Sequence, residues 1–87
     1  MTWQIVYTKR SKKDFKKLNN ESKFEIECLL KILSINPYAT PPIFEKLSGL
    51  KDTYSRRINV QHRLVYKIEK VETVIKVLSM WGHYDDN

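Results

Sequence analysis

The feature that most constrains the fold is a change in the spacing of apolar residues across the pair Pro41-Pro42. From Phe15 to Leu33, ahead of the prolines, apolar residues recur at the intervals of a helix that buries one side. From Tyr54 onward they alternate with polar residues, which is the period of a β-strand. Because proline disfavours both regular structures, the pair is predicted to separate a helical part of the chain from a sheet-forming part.

Two helices are predicted ahead of the prolines. The first begins at Ser11, which is followed three positions later by an acidic residue, and it ends at Asn19-Asn20. The second begins at Ser22, where the same capping pattern has its stricter form with glutamate. Its apolar stripe consists of Ile26, Leu29, Leu30 and Leu33. Asn36-Pro37 ends this helix, and residues 36–42 are predicted to form a loop.

Alternating apolar residues predict strands at both ends of the chain. Residues 2–8 are predicted to form the first strand, and residues 45–47 a short edge strand. Three further strands are predicted before Trp81, joined as antiparallel hairpins at Val60-Gln61 and Lys70-Val71. The predicted order is β-α-α-β-β-β-β, an α+β class with a mostly antiparallel sheet. Its first strand would lie beside a late strand, with the two helices packed on one face.

The length of 87 residues predicts a single domain over residues 1–87, and a hydrophobic content of 41% is enough for a modest core. Cys28 has no second cysteine to pair with, which favours a reducing, cytoplasmic location. No apolar run approaches the roughly 18–20 residues that cross a bilayer, and the N-terminus lacks a signal-peptide pattern. We therefore expect no membrane association.

The formal net charge of +6 suggests a polyanionic partner, with nucleic acid as the first candidate. Residues 9–23 carry seven basic and two acidic residues, so this stretch alone contributes +5. Its central lysines are Lys12, Lys13, Lys16 and Lys17. They are interpreted either as a surface that tracks RNA phosphates or as a solubilising helix face.

A second basic cluster spans residues 46–63 and contains three arginines, whose planar fork matches phosphate better than lysine does. Arg56 and Arg57 are adjacent in a predicted strand and therefore point to opposite faces, so both cannot contact the same phosphate. One of them is predicted to be scaffold or a separate contact. Tyr66 and Trp81 share parity with aliphatic neighbours, which favours core positions over base stacking.

Few residues in the chain could carry out catalysis. With two glycines it has no glycine-rich loop for phosphates. His62 and His83 lie in different elements without cysteine partners, so no metal site is predicted. Glu45, His83 and the arginines remain as a metal-free set. Such groups can deprotonate a 2′-hydroxyl, protonate a leaving 5′-oxygen and stabilise the phosphorane, but they occur in almost any small basic domain.

Three sequence blocks carry a family resemblance: FEKLSG at residues 44–49, SRRI followed by HRLVY within residues 55–66, and the pair His83-Tyr84. In this order, and over essentially the whole chain, they resemble the YoeB/Txe-type toxins of the RelE superfamily. The resemblance implies a RelE-like, microbial-RNase-like fold and an mRNA endoribonuclease that acts in the ribosomal A site without a cofactor. It also implies a cognate acidic antitoxin and contact with operator DNA only through that antitoxin, and it leaves a homodimer open.

The resemblance assigns roles to individual residues. Glu45 corresponds to the general base, Arg63 to the clamp on the transition state, and His83 to the general acid. The implied RNA contacts are Lys46 and Arg57, with Tyr84 next to the proposed acid. The remaining candidate RNA contacts rest on charge alone and are Lys12, Lys13, Lys16 and Lys17. His62 is interpreted as a structural residue beside a turn. The extension Asp85-Asp86-Asn87 departs from many members and places two negative charges near the proposed acid.

Two other functions stay open at this point. A non-catalytic toxin of the same superfamily that poisons a protein target such as gyrase would keep the fold and the basic surface. It would need neither Glu45 at its turn nor the terminal His83-Tyr84. A plain RNA-binding module would bind with a steep salt dependence and release no cleavage products.

Overall fold

The computed structural model describes residues 2–40 and 44–81, which form two helices and a five-stranded sheet. The elements in chain order are β1 (Gln4–Tyr7), α1 (Lys9–Lys17), α2 (Asn20–Ile35), β2 (Phe44–Lys46), β3 (Thr53–Arg57), β4 (Arg63–Glu69) and β5 (Val74–Ser79). The predicted element order and the α+β class are confirmed. Across the described ranges, neither helix has the length and apolar character to span a bilayer.

The strands lie in the order β1-β5-β4-β3-β2. β1 pairs in parallel with β5, and every other neighbouring pair is antiparallel. The first strand therefore lies beside the last one, as predicted. The two edges of the sheet are β1 and β2, so features on these strands are separated by the full width of the sheet.

The capping residue of each helix lies three positions before the predicted serine. Thr8 caps α1, where its hydroxyl accepts a hydrogen bond from the Ser11 amide at 3.1 Å. Asn19 caps α2, where its side-chain oxygen accepts from the Ser22 amide at 2.8 Å. Each serine thus occupies the third helical position, and its backbone amide is the group that the cap binds. A serine followed by an acidic residue occurs both at the cap and at this third position, so the sequence pattern alone cannot tell the two positions apart.

The core lies between the two helices and one face of the sheet, which we call the helix face. The helical part contributes the buried residues Leu18, Ile26, Leu29 and Leu33. The sheet contributes Leu64, Tyr66, Ile68, Ile75 and Val77, with Met80 just after β5. Alternate residues of β4 therefore fill the core, as the period of a strand requires. The predicted core position of Tyr66 is confirmed.

Trp81 is predicted as a core residue from its parity with Val77, but its side chain is 40% exposed. The pairing of β5 with β4 shifts register between Val77 and Ser79, so Leu78 is an extra residue in the ladder. Such a bulge reverses the alternation of faces beyond it. Met80 consequently enters the core where Trp81 is expected.

Arg56 is fully buried and lies on the helix face, opposite Leu64 in the register. Its Nε donates a hydrogen bond to the Tyr66 hydroxyl at 2.9 Å, and its Nη2 donates to the Pro37 carbonyl at 3.1 Å. The guanidinium also lies 4.8 Å from the centroid of the Phe44 ring. Burial raises the pKa of the Tyr66 hydroxyl, although the hydrogen bond from Arg56 opposes that rise. Arg56 is therefore the scaffold member of the arginine pair.

We predict opposite outcomes for the two neighbouring arginines. Arg56→Ala leaves the Tyr66 hydroxyl and the Pro37 carbonyl without this partner, so it should lower the free energy of unfolding by about 2–4 kcal/mol. Arg57→Ala removes the same side chain from an exposed position and should change stability by less than about 0.5 kcal/mol. Urea denaturation measures both values. Equal losses would contradict the scaffold role of Arg56.

Candidate active site

The sheet face opposite the helices, which we call the site face, brings together residues from three strands. Glu45 is paired with Ser55 across β2 and β3, and Arg57 is paired with Arg63 across β3 and β4. Ser55 and Arg57 lie two residues apart on β3 and therefore point to the same side. Four polar residues from three consecutive strands thus share one face.

Arg63 holds the centre of this site through two contacts. Its Nη2 lies 2.9 Å from Oε1 of Glu45, in a charge-assisted hydrogen bond. Its Nε donates to the hydroxyl of Ser55 at 3.2 Å. Because Ser55 is buried, its hydroxyl holds one side of the guanidinium fork against the sheet while the other side reaches Glu45.

The two partners of this ion pair differ sharply in exposure. The side chain of Arg63 is 19% exposed and that of Glu45 is 68% exposed. An ion pair with so exposed a partner contributes only about 0–1 kcal/mol to stability. The Glu45 carboxylate can therefore leave Arg63 at little cost when another anion approaches. The arrangement offers a carboxylate base and a fixed cation to the same ligand.

Arg57 and Lys46 occupy different positions relative to this pair. Arg57 is exposed on the site face directly opposite Arg63, so it extends the positive surface there. Lys46 is exposed too, but it follows Glu45 in β2 and is paired with Tyr54. Strand alternation therefore places Lys46 on the opposite side of the edge strand from Glu45.

The other predicted site residues lie elsewhere. The predicted RNA-contacting lysines of α1 are exposed on the helix side of the molecule; they are Lys12, Lys13, Lys16 and Lys17. His83 and Tyr84 lie outside the described residues. His62 is buried in the turn between β3 and β4, where its carbonyl accepts from the Ile58 amide at 2.9 Å. In the two described ranges, no three His, Cys, Asp or Glu side chains are grouped to hold a metal ion.

A buried acidic residue holds the backbone at Met80, just after β5 and three residues before His83 in the sequence. Asp14 of α1 accepts a hydrogen bond from the Met80 amide at 3.0 Å. The basic side chains Arg10 and Lys17 lie 3.7 and 3.9 Å from its carboxylate. One helix therefore carries the basic surface and anchors the strand end that leads towards His83.

Sequence reasoning missed two features of this region. Ser55 was not singled out, although its position two residues before Arg57 places it on the same side of a strand. Trp81 forms a small surface stack, with its ring centroid 4.3 Å from that of His62 and 4.8 Å from Nζ of Lys17. This stack links α1 to the turn that precedes Arg63.

Comparison with known proteins identifies the family and the fold of this chain. A family model described as the YoeB-like toxin of bacterial type II toxin-antitoxin systems matches residues 7–84. A YoeB/ParE toxin from Agrobacterium tumefaciens superimposes with a TM-score of 0.84 at 26% identity, over 93% of this chain and 99% of that one. No curated protein sequence matches the chain.

Two structures from Staphylococcus aureus are similar as well. The YoeB dimer superimposes with a TM-score of 0.81 at 33% identity, over 97% of this chain and 100% of that one. The YoeB-YefM complex gives a TM-score of 0.78 at 34% identity, with the same coverage of 97% and 100%. Fold and neighbours define the class as a bacterial toxin with the architecture of the solved YoeB structures. Within that class, the chain belongs to the YoeB-like toxins of type II toxin-antitoxin systems.

Proposed function

We propose that this toxin is a ribosome-dependent mRNA endoribonuclease that cleaves through the 2′-hydroxyl of its substrate. The observation that carries the proposal is the ion pair of Glu45 and Arg63 at 2.9 Å on the site face, with Arg63 held by Ser55. A toxin that only covers a protein target has no use for an exposed carboxylate beside a fixed guanidinium. RNA cleavage by an internal nucleophile uses both groups.

The proposed step begins with a phosphate that displaces the carboxylate of Glu45 from Arg63. The carboxylate then takes the proton of the adjacent 2′-hydroxyl, and the 2′-oxygen forms a bond to phosphorus. Arg63 stabilises the negative charge of the five-coordinate phosphorane. The bond from phosphorus to the 5′-oxygen breaks, and His83 donates a proton to that oxygen. The products are a 2′,3′-cyclic phosphate and a 5′-hydroxyl.

Several basic and aromatic residues are proposed to hold the RNA. Arg57 lies beside Arg63 on the site face and would contact a neighbouring phosphate. Tyr84 follows His83 and would contact the substrate near the leaving group. Lys46, on the other side of the edge strand from Glu45, would contact the RNA backbone farther along.

We also propose a small acidic antitoxin as the partner of this chain. The S. aureus relative is described in complex with YefM, and this chain has a net charge of +6 around an exposed site. An acidic segment that folds on binding can cover a large surface of this kind. Contact with operator DNA would then run through the antitoxin. A homodimer is proposed because the other S. aureus structure is a YoeB dimer.

Substitution of the three proposed catalytic residues should lower the rate of mRNA cleavage on ribosomes. Glu45→Gln and His83→Gln should each lower it by about 10²–10⁴-fold, because each removes a proton-transfer group. Arg63→Ala should lower it by about 10²–10³-fold, because it removes charge from the phosphorane. Single-turnover cleavage of a defined mRNA measures these rates.

Matched controls separate chemistry from folding in this series. Glu72→Gln makes the same change at an exposed position in the turn between β4 and β5 and should cleave normally. Glu45→Gln should keep the free energy of unfolding within about 1 kcal/mol, because its ion pair is exposed. Wild-type cleavage by folded Glu45→Gln and Arg63→Ala proteins would reject the proposed site.

The lysines of α1 are proposed to bind ribosomal RNA. Joint replacement of Lys12, Lys13, Lys16 and Lys17 by glutamine should weaken ribosome binding and flatten its dependence on salt, since fewer counterions are released. The control is the same replacement at Lys31, Lys51, Lys70 and Lys76, which gives the same net charge. Sedimentation with ribosomes at several salt concentrations compares the two proteins. If the two variants bind ribosomes equally well, the α1 lysines do not bind ribosomal RNA specifically and serve only to keep the protein soluble.

A further inference from the structure

An exposed aromatic residue lies next to the site and takes no part in the chemistry proposed above. Trp81 follows β5 and is 40% exposed. The ladder between β4 and β5 pairs Val65 with Ser79. Two residues further along each strand, this register brings Trp81 opposite Arg63. Because Met80 enters the core, its neighbour Trp81 belongs to the site face of the sheet.

The Trp81 ring is supported by a residue that the fold holds in place. Its centroid lies 4.3 Å from that of the His62 ring, with 34° between the two planes. His62 is buried, its amide donates to the Asn59 side chain at 2.9 Å, and its carbonyl accepts from the Ile58 amide at 2.9 Å. The indole is therefore held in one orientation while part of its surface stays open to a ligand.

A lysine of α1 adds positive charge to this ring. Nζ of Lys17 lies 4.8 Å from the centroid of Trp81 and 3.9 Å from Oδ1 of Asp14. The Lys17 side chain is 55% exposed, so both contacts are weak and its ammonium can move to a phosphate at little cost. We call Trp81, His62 and Lys17 the Trp81 platform. Proteins bind single-stranded RNA by this combination of an aromatic face and a nearby cation.

The other exposed aromatic residues in the described ranges belong to different parts of the fold. They are Tyr7 on β1, Phe24 on α2 and Tyr38 after α2. Neither β1 nor α2 carries a residue of the Glu45–Arg63 site. Within the part of the chain that the structure describes, Trp81 is thus the exposed aromatic residue that lies beside the proposed chemistry.

The order of the strands decides which nucleotide would reach the platform. Glu45 lies on β2 and Trp81 follows β5, with Arg63 on β4 between them. When Arg63 holds the phosphate in the proposed reaction, the nucleotide with the attacking 2′-hydroxyl lies towards Glu45. The nucleotide that carries the leaving 5′-oxygen therefore extends towards Trp81. Trp81 also precedes the proposed acid His83 by two residues, and that acid must reach the same oxygen.

We infer that the Trp81 platform stacks on the base of the nucleotide that follows the cut, and that Lys17 contacts a phosphate of the same strand. The inference rests on the proposed nuclease function and adds a base-binding subsite to it. Every base has a flat face, so stacking favours purines by their larger area and excludes no base. The platform therefore assigns a modest sequence preference to the leaving side of the cut.

The test measures single-turnover cleavage of a ribosome-bound mRNA that carries either a base or an abasic ribose just after the cut, with toxin below saturation. The unmodified toxin should cut the abasic mRNA about tenfold more slowly, because stacking is lost. Trp81→Leu should cut the normal mRNA about tenfold more slowly and should lose no further rate on the abasic one. Trp81→Phe keeps an aromatic ring and should recover part of the rate on the normal mRNA.

Phe24→Leu is the matched control, because it replaces an aromatic residue by leucine at an exposed position of α2. It should cut both mRNAs at the rates of the unmodified toxin. A purely structural role of Trp81 predicts equal losses for Trp81→Leu on the normal and abasic mRNAs. A contact with ribosomal RNA predicts weaker sedimentation of Trp81→Leu with ribosomes, whatever base the mRNA carries. Either result would overturn the inference.

A binding measurement separates this inference from the nuclease proposal and remains decisive if Trp81→Leu fails to fold. The probe is a short single-stranded RNA with one 2′-deoxyribose at its centre, followed by a nucleotide with or without a base. Stacking on the indole should quench the fluorescence of the unmodified toxin only with the base-carrying probe. The quenching should disappear in Trp81→Phe, where Trp3 is the remaining tryptophan.

The two proposals can fail separately. Base-dependent quenching without any cleavage on ribosomes would support the platform and reject the nuclease. Cleavage at equal rates on the normal and abasic mRNAs would support the nuclease and reject the platform. With neither cleavage nor quenching, both proposals would be wrong.

Discussion

The buried guanidinium of Arg56 is the interaction on which the geometry of the site depends. It joins the Tyr66 hydroxyl of β4 to the Pro37 carbonyl after α2, and it contacts the ring of Phe44 in β2. A strand of three residues at a sheet edge has few backbone hydrogen bonds of its own, so side-chain contacts matter for its position. Since Glu45 is the middle residue of that strand, its place beside Arg63 depends on packing on the opposite face of the sheet.

Strand alternation places neighbouring residues of β3 on opposite faces of the sheet, so one short segment contributes both to the core and to the candidate site. In β3, Arg56 turns inward and becomes scaffold, while its neighbours Ser55 and Arg57 face the site. The same sheet therefore carries an apolar core on the helix face and a polar, basic surface on the site face. The basic helix α1 also has both roles. Its lysines are exposed, and its buried Asp14 accepts a hydrogen bond from the Met80 amide just after β5. A rigid core thus orients exposed groups that have little packing of their own.

Much of the fold could be predicted from the sequence because apolar periodicity reports directly on burial. It predicted the order of the elements, a first strand that lies beside a late strand, and the placement of Arg56 and Arg57 on opposite faces of the sheet. It failed for Trp81, because the bulge at Leu78 depends on pairing between strands rather than on residue type. Ser55 was missed for a related reason, since a serine hydroxyl becomes a positioning group only through its register with other strands. The family resemblance alone assigned Glu45 and Arg63 to one site, and nothing in the sequence predicted the ion pair between them.

The most direct test of the proposed chemistry is cleavage of a ribosome-bound mRNA that carries one 2′-deoxyribose at the cut site. The site is first mapped on the unmodified mRNA, whose products should end in a 2′,3′-cyclic phosphate, or the 3′-phosphate derived from it, and a 5′-hydroxyl. The account predicts that the deoxy substrate stays intact, because it lacks the attacking oxygen, while ribosome binding is unchanged. Cleavage of the deoxy substrate at the normal rate would contradict attack by the 2′-hydroxyl and the role assigned to Glu45.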